Sequence, residues 1–176
     1  MTSVVITFLA ILSLAALALA VGATVLTARP GGHRAAVSIA SSTAALSWLI
    51  AMVSTLGSLF MSEIAGFVPC ALCWVQRGFM YPLVVVLAVP AIRRRPPAAL
   101  IWWTLAGAAV SAYHYGVEHL PVLEDSGFCT PTAPCTTIWV NEFGFVTIPF
   151  MALCGFLAIA ALTRLHRHAL TLGLSS

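Results

Sequence analysis

The sequence predicts an all-α integral membrane protein, a four-helix transmembrane bundle with one additional N-terminal transmembrane helix, five spans in total. Three observations carry this. The composition is 61% apolar and 7% charged, with a mean hydropathy of +1.03, a balance that no soluble domain of this size shows. Five apolar runs, residues 4–27, 43–61, 73–92, 98–116 and 145–165, each approach the roughly 20 helical residues that a hydrocarbon core of about 30 Å requires. Finally, the basic residues that join these runs are segregated from the acids.

The first run has no Lys or Arg before it and is followed by Arg29 and Arg34. That order suits a retained helix with its N-terminus outside, not a cleaved signal peptide. Arg93, Arg94 and Arg95 lie between the third and fourth runs, and Arg164 and Arg167 near the end of the fifth. Because Lys and Arg of short loops favour the cytoplasmic side, these connections are cytoplasmic, as is the C-terminus. Every acid, Glu63, Glu118, Glu124, Asp125 and Glu142, falls in the two opposite connections, together with Cys70, Cys129 and Cys135. The chain divides into an N-terminal helix with its basic connection (1–40), a four-helix unit (41–168) and a short cytoplasmic tail (169–176), with no internal repeat and no low-complexity segment. The formal net charge of +3 is spent on topology and calls for no nucleic-acid partner.

The third run raises the first chemical question, in the stretch VPCALCWVQRGFMYP (residues 68–82). Residues 78–92 alone give only about 22 Å of helix, short of the hydrocarbon core, so the helix has to begin earlier. With Pro69 at its boundary, Cys70 and Cys73 fall in the first turn and Arg77 one turn deeper. Cys73 and Arg77 then share a face, and the positive end of the helix dipole together with the guanidinium favours a thiolate at Cys73. An arginine at such depth costs up to about 2.5–3.5 kcal/mol at the membrane centre. Alone, it would be read as snorkelling to the headgroups. Beside a Cys-x-x-Cys it is read as stabilising a thiolate or an anionic electron acceptor.

Four cysteines, Cys70, Cys73, Cys129 and Cys135, belong to the outer, oxidising compartment as two pairs, while Cys154 is alone in the last apolar run and reads as a small buried apolar residue. Three readings of the pairs are open: structural staples, a four-thiolate zinc site, or thiol–disulfide exchange. Five membrane helices hardly need staples, and the Cys-x5-Cys spacing is looser than a zinc knuckle. Exchange is favoured, with no metal. Gly127, Pro131 and Pro134 around the second pair indicate an exposed, turn-rich loop, suited to receiving electrons from a protein partner.

PCALCWVQRGFMYPL (69–83), AYHY (112–115) and APCTTIWVNEFGFVTIPFMAL (133–153) resemble the DsbB family of membrane disulfide-forming proteins, in particular its BdbC-like branch. The resemblance spans roughly residues 43–165. It implies a four-helix bundle in the cell membrane that reoxidises an extracytoplasmic thioredoxin-like (DsbA-like) thiol oxidase and passes the electrons to a membrane quinone, menaquinone or ubiquinone. By position, it implies redox-active disulfides Cys70–Cys73, next to the quinone, and Cys129–Cys135, next to the partner, with Arg77 beside the quinone. The helix of residues 4–27 departs from the four-helix pattern. A lipophilic acceptor also fits the absence of a Gly-rich phosphate loop and of a haem-attachment motif. His114 is a further candidate for a proton or hydrogen bond to the quinone ring, whereas Trp74, Trp139 and Phe143 read as interfacial belt aromatics. Vitamin K epoxide reductase-like proteins, an alternative class, place the loop pair before the Cys-x-x-Cys; here it follows. A non-enzymatic membrane protein with stapled loops or a metal site is the remaining alternative.

Overall fold

The computed structural model describes residues 1–29, 33–93, 98–120, 129 and 133–173. Within them the chain forms five long helices and no strand: α1 (Thr2–Ala28), α2 (His33–Leu59), α3 (Ala71–Arg93), α4 (Ala99–His119) and α5 (Ile148–Gly173). Four of them, α1, α2, α3 and α5, are long and apolar enough to cross a membrane. The fifth expected span, α4, carries Trp102, Trp103, Tyr113, His114 and Tyr115, which dilute its hydropathy.

Helix α5 is the hub, packed against α1, α2 and α4, while α3 packs on α2 and α4. Small residues permit this. Along α1 the buried positions are Ala10, Ser13, Ala16, Ala20 and Ala23, three or four apart, a stripe that lets one helix backbone come close to another. Ala16 and Ala20 meet Ala158 of α5. On α4, a Cβ at Gly107 would lie 2.5 Å from the Phe156 ring, so α4 and α5 touch there only because the side chain is missing. The main core lies between α2, α3, α4 and α5 and includes Ala51, Leu83, Leu87 and Ile159. The N-terminal helix therefore packs on the bundle, a point its sequence left open.

Hydrogen bonds tie the helices at both ends. Thr43 Oγ1 and His166 Nδ1 are 2.9 Å apart at one end. At the other, Thr7 Oγ1 on α1 donates to Glu142 Oε2 in the connection before α5 (3.2 Å), and Tyr115 OH on α4 donates to the Phe145 carbonyl (3.2 Å). The start of α1 thus sits at the same end as the cysteine-bearing connections. The segment before α5 is held by a tight turn in which Phe143 and Gly144 both have positive φ (55° and 81°), closed by paired backbone bonds between Glu142 and Val146. Arg94, Arg95, Glu124, Asp125, Gly127 and Pro131, used above for topology and loop character, lie outside the described residues.

Candidate active site

Helix α3 begins where the length argument requires. Cys70 is its cap: its carbonyl accepts the Trp74 amide (3.1 Å), and its sulfur accepts the Cys73 amide (3.4 Å), as a capping side chain accepts the N3 amide. The sulfurs of Cys70 and Cys73 lie 3.1 Å apart as free thiols. Cys129 and Cys135 form a disulfide across a Cα–Cα distance of 5.6 Å. The fold brings the pairs together: Cys70, Cys135, Leu72 and Val117 form one buried cluster against which Cys73 and Cys129 pack. Cys135 is only 1% exposed, whereas Cys129 is half-buried. The Cys129–Cys135 disulfide takes two of the four sulfurs that a four-thiolate site would use. The sulfurs of Cys70 and Cys73 and a ring nitrogen of His114 lie within 4.8 Å of one another, three donors where structural zinc takes four. Cys154 is buried, as expected of a small apolar side chain.

Two cavities meet at the Cys-x-x-Cys. The larger, about 270 Å³, is walled by α1, α2, α3 and α5, and Cys73, Gln76 and Arg77 all line it. The smaller, about 10 Å³, lies on the other side, lined by Cys70, Cys73, His114 and Glu118 among others. Cys73 therefore faces the large cavity, while Cys70 faces the loop disulfide and α4.

Arg77 is anchored, not snorkelling freely. Its Nε donates to Ser58 Oγ and its Nη2 to the Ser58 carbonyl, both at 3.0 Å, and its guanidinium lies 5.1 Å from the centre of the Trp74 ring. Ser58 sits just before the π-helical turn of residues Phe60–Ile64 that ends α2, a local widening common at functional sites. One residue nearer the cysteines, Gln76 is buried, and its Nε2 has no hydrogen-bond partner in the protein. A buried amide without a partner costs about 1–3 kcal/mol, so a cavity-lining donor of this kind fits a ligand oxygen.

The large cavity has the chemistry a quinone needs: apolar walls, an orphan neutral donor at Gln76, and a cation at Arg77 beside a thiol. Two sequence expectations change here and one is extended. His114 does not line this cavity; it is 2% exposed, with Nε2 3.5 Å from Cys70 Sγ, because α4 approaches the pair from the side opposite α1. Trp139, expected in an interfacial belt and exposed as such a residue would be, also lines both cavities and stacks on Phe67 at 5.2 Å between ring centres. The thiolate expected at Cys73 is favoured at Cys70 instead. The hydrogen bond between the Cys70 and Cys73 sulfurs, with His114 standing beside Cys70, holds the Cys70 pKa below its ordinary value despite burial. Trp74 and Phe143 are exposed, as interfacial aromatics would be.

Sequence reasoning passed over Gln76, Ser58 and Glu118. Gln76 carried a signal, a polar side chain three residues beyond Cys73 inside an apolar run. Glu118, one turn beyond His114 on the same face, places a buried Oε2 without a partner beside the small cavity. Ser58 carried none, since its role depends on how α2 meets α3.

A family model for the disulfide bond formation protein DsbB matches residues 40–166, which hold both cysteine pairs, Gln76, Arg77 and His114. The chain belongs to the DsbB family. The match is similar in extent to that with individual relatives. A probable disulfide formation protein C of Halalkalibacterium halodurans is 46% identical over 115 residues, covering 64% of this chain and 84% of the relative. Disulfide bond formation protein C of Bacillus subtilis is 40% identical over 115 residues, covering 64% of this chain and 83% of the relative. A probable disulfide formation protein of Metapseudomonas resinovorans is 37% identical over 132 residues, covering 72% of this chain and 90% of the relative. No solved structure matches. The BdbC-like resemblance of the motifs is thereby established, DsbB membership implies a membrane disulfide oxidoreductase, and α1 lies outside the matched stretch.

Proposed function

We propose that this DsbB-family protein reoxidises an extracytoplasmic thioredoxin-like thiol oxidase and delivers the electrons to a membrane quinone, with both cysteine pairs on the extracytoplasmic side and the C-terminus in the cytoplasm. In this reading, residues 41–168 form the redox unit and residues 1–40 add a helix to it. The observation that carries the proposal is the placement of the Cys-x-x-Cys between two surroundings. Cys70 packs with Cys135 of the loop disulfide, and Cys73 opens on the apolar cavity with Gln76 and Arg77.

The half-buried Cys129 is the sulfur a partner thiolate reaches, since Cys135 is almost fully covered. Attack there breaks Cys129–Cys135 and forms a mixed disulfide; the partner's second thiolate resolves it, leaving the partner oxidised and the loop pair as a dithiol. The Cys135 thiolate then attacks Cys70 of an oxidised Cys70–Cys73 pair, and Cys129 closes the loop disulfide again. Cys73 leaves as the first thiolate, Cys70 as the second, and the inner pair becomes the dithiol. A bound quinone supplies a two-electron, two-proton acceptor that allows this dithiol to return to a disulfide. Arg77 and the Gln76 amide would hold its oxygens, and His114 next to Cys70 is placed to take a proton as the inner disulfide re-forms.

The test is direct. Purified protein, reduced and freed of reductant, is mixed with a quinone, and quinone reduction is followed together with the loss of thiols, two for each quinone reduced. Stoichiometric oxidation by quinone that also occurs in a protein lacking Cys129 and Cys135 supports the relay. Thiols that stay reduced in the presence of quinone would refute it.

A further inference from the structure

Helix α1 lies outside the stretch shared with the DsbB family model, yet it forms a wall of the cavity onto which Cys73 and Arg77 open. Its register against α2 is antiparallel. A Cβ at Gly57 would meet Leu9 at 3.1 Å, Ala16 clusters with Ile50, and Ala23 clusters with Leu46. The N-terminal part of α1 therefore stands level with Ser58 and Arg77, and its later turns run away from the redox centre.

Polarity along the cavity follows the same axis. Around Ser58 the lining includes Ser62, Gln76, Arg77 and Tyr81, whereas further along α2 it becomes Val53, Ile50, Leu49 and Leu46, with one interposed hydroxyl at Ser54. On the α1 side the wall is Leu9, Leu12, Ala15, Ala16 and Leu19, and the one hydroxyl, Ser13 Oγ, is already bonded to the Ala10 carbonyl at 2.7 Å. From Ser58 to Leu46 the helical rise is about 18 Å. A trough with a polar, cationic head beside a thiol and an apolar body of this length has the shape of a ring carrying a long hydrocarbon chain.

We infer that α1 and α2 form a channel for the isoprenoid tail of the quinone, so that the N-terminal helix sets the preference of this protein for long-tailed over short-tailed quinones. The inference rests on the acceptor reading above. The occupant is a quinone tail and not a lipid acyl chain because the trough is continuous with the head that holds Gln76 and Arg77, a donor pair suited to ring oxygens. The tail arrives from hydrocarbon and not from water, so what the channel adds is van der Waals contact with packed side chains, which grows with each methylene accommodated. Without α1 that side of the trough would be open lipid, and tail length would matter little.

The experiment uses the full chain in detergent and compares oxidation of the reduced protein by quinones that share one ring and differ only in tail: none, one isoprene unit, and several. For the wild type, KM falls as the tail lengthens. Leu12→Trp fills the channel near the head and raises the ratio of long-tail to tail-less KM by about tenfold. Leu19→Trp, at the exposed far end of the wall, raises the ratio only for the longest tail. A wild-type KM independent of tail length, or ratios that stay within about twofold of wild type in both variants, would overturn the channel. If no quinone of any tail length oxidised the wild-type protein, the acceptor reading would fall, and the channel with it; tail-blind oxidation sinks the channel alone.

Discussion

Replacing Arg77 by alanine separates the two half-reactions. Arg77 spends two of its five N–H donors on Ser58, through Nε to the hydroxyl and Nη2 to the carbonyl, so its fork is held in place with donors to spare beside the cavity. A hydrogen bond to a charged group is worth about 1.5–3 kcal/mol, and each 1.36 kcal/mol of transition-state stabilisation is tenfold in rate. Arg77→Ala should therefore slow quinone reduction by about 10- to 150-fold. Arg77→Lys should slow it less, since the charge remains without the planar fork. The loop disulfide packs on Cys70, away from the guanidinium, so exchange with the protein partner should stay within a few-fold of wild type. Loss of the Ser58 ties will also loosen the α2–α3 contact. Ser58→Ala, which removes the hydroxyl acceptor and leaves the carbonyl, measures the hydroxyl's part of that structural share. Stopped-flow measurement of both half-reactions on folded, solubilised protein decides the matter. An Arg77→Ala protein that reduced quinone at the wild-type rate, or one slowed no more than Ser58→Ala, would show that the arginine is a structural tie between helices.

Three further outcomes follow from the same geometry. Cys129→Ala or Cys135→Ala should abolish oxidation of a reduced thioredoxin-like partner yet leave quinone reduction by the inner pair possible with a small dithiol, and a wild-type rate with the protein partner would break the relay. In the reduced protein, the Cys70 thiolate should persist below the ordinary thiol range, because a lowered pKa keeps the deprotonated form populated as pH falls toward that pKa. Cys73→Ala, which deletes the main hydrogen-bond partner of Cys70, should move the titration upward, as followed by ultraviolet thiolate absorbance; a titration that did not move would remove Cys73 as the cause. Gly107→Ala should destabilise the bundle by about 1–3 kcal/mol through overpacking, because its Cβ would meet the Phe156 ring at 2.5 Å, with a lowered thermal midpoint as the readout.

The sequence by itself determined the class of fold and singled out the cysteines and the arginine to which the proposal assigns the chemistry. Membrane helices are written in single-residue hydropathy, because each must satisfy its own backbone inside lipid, and a run of apolar residues reports that without reference to neighbours. The Cys-x-x-Cys with Arg77 one turn on was equally legible, since three- and four-residue spacings on a helix are local facts. What only the tertiary structure decided is where those side chains face. Cys70 turning to Cys135 and Cys73 to the cavity, His114 reaching Cys70 from α4 instead of the cavity, Trp139 folding back onto Phe67, and α1 walling the trough all depend on contacts between residues 40 to more than 100 positions apart. Such contacts arise from how helices rotate and settle against one another, set here by small residues such as Ala16, Gly57 and Gly107 at the crossings, and no window along the chain contains that rotation.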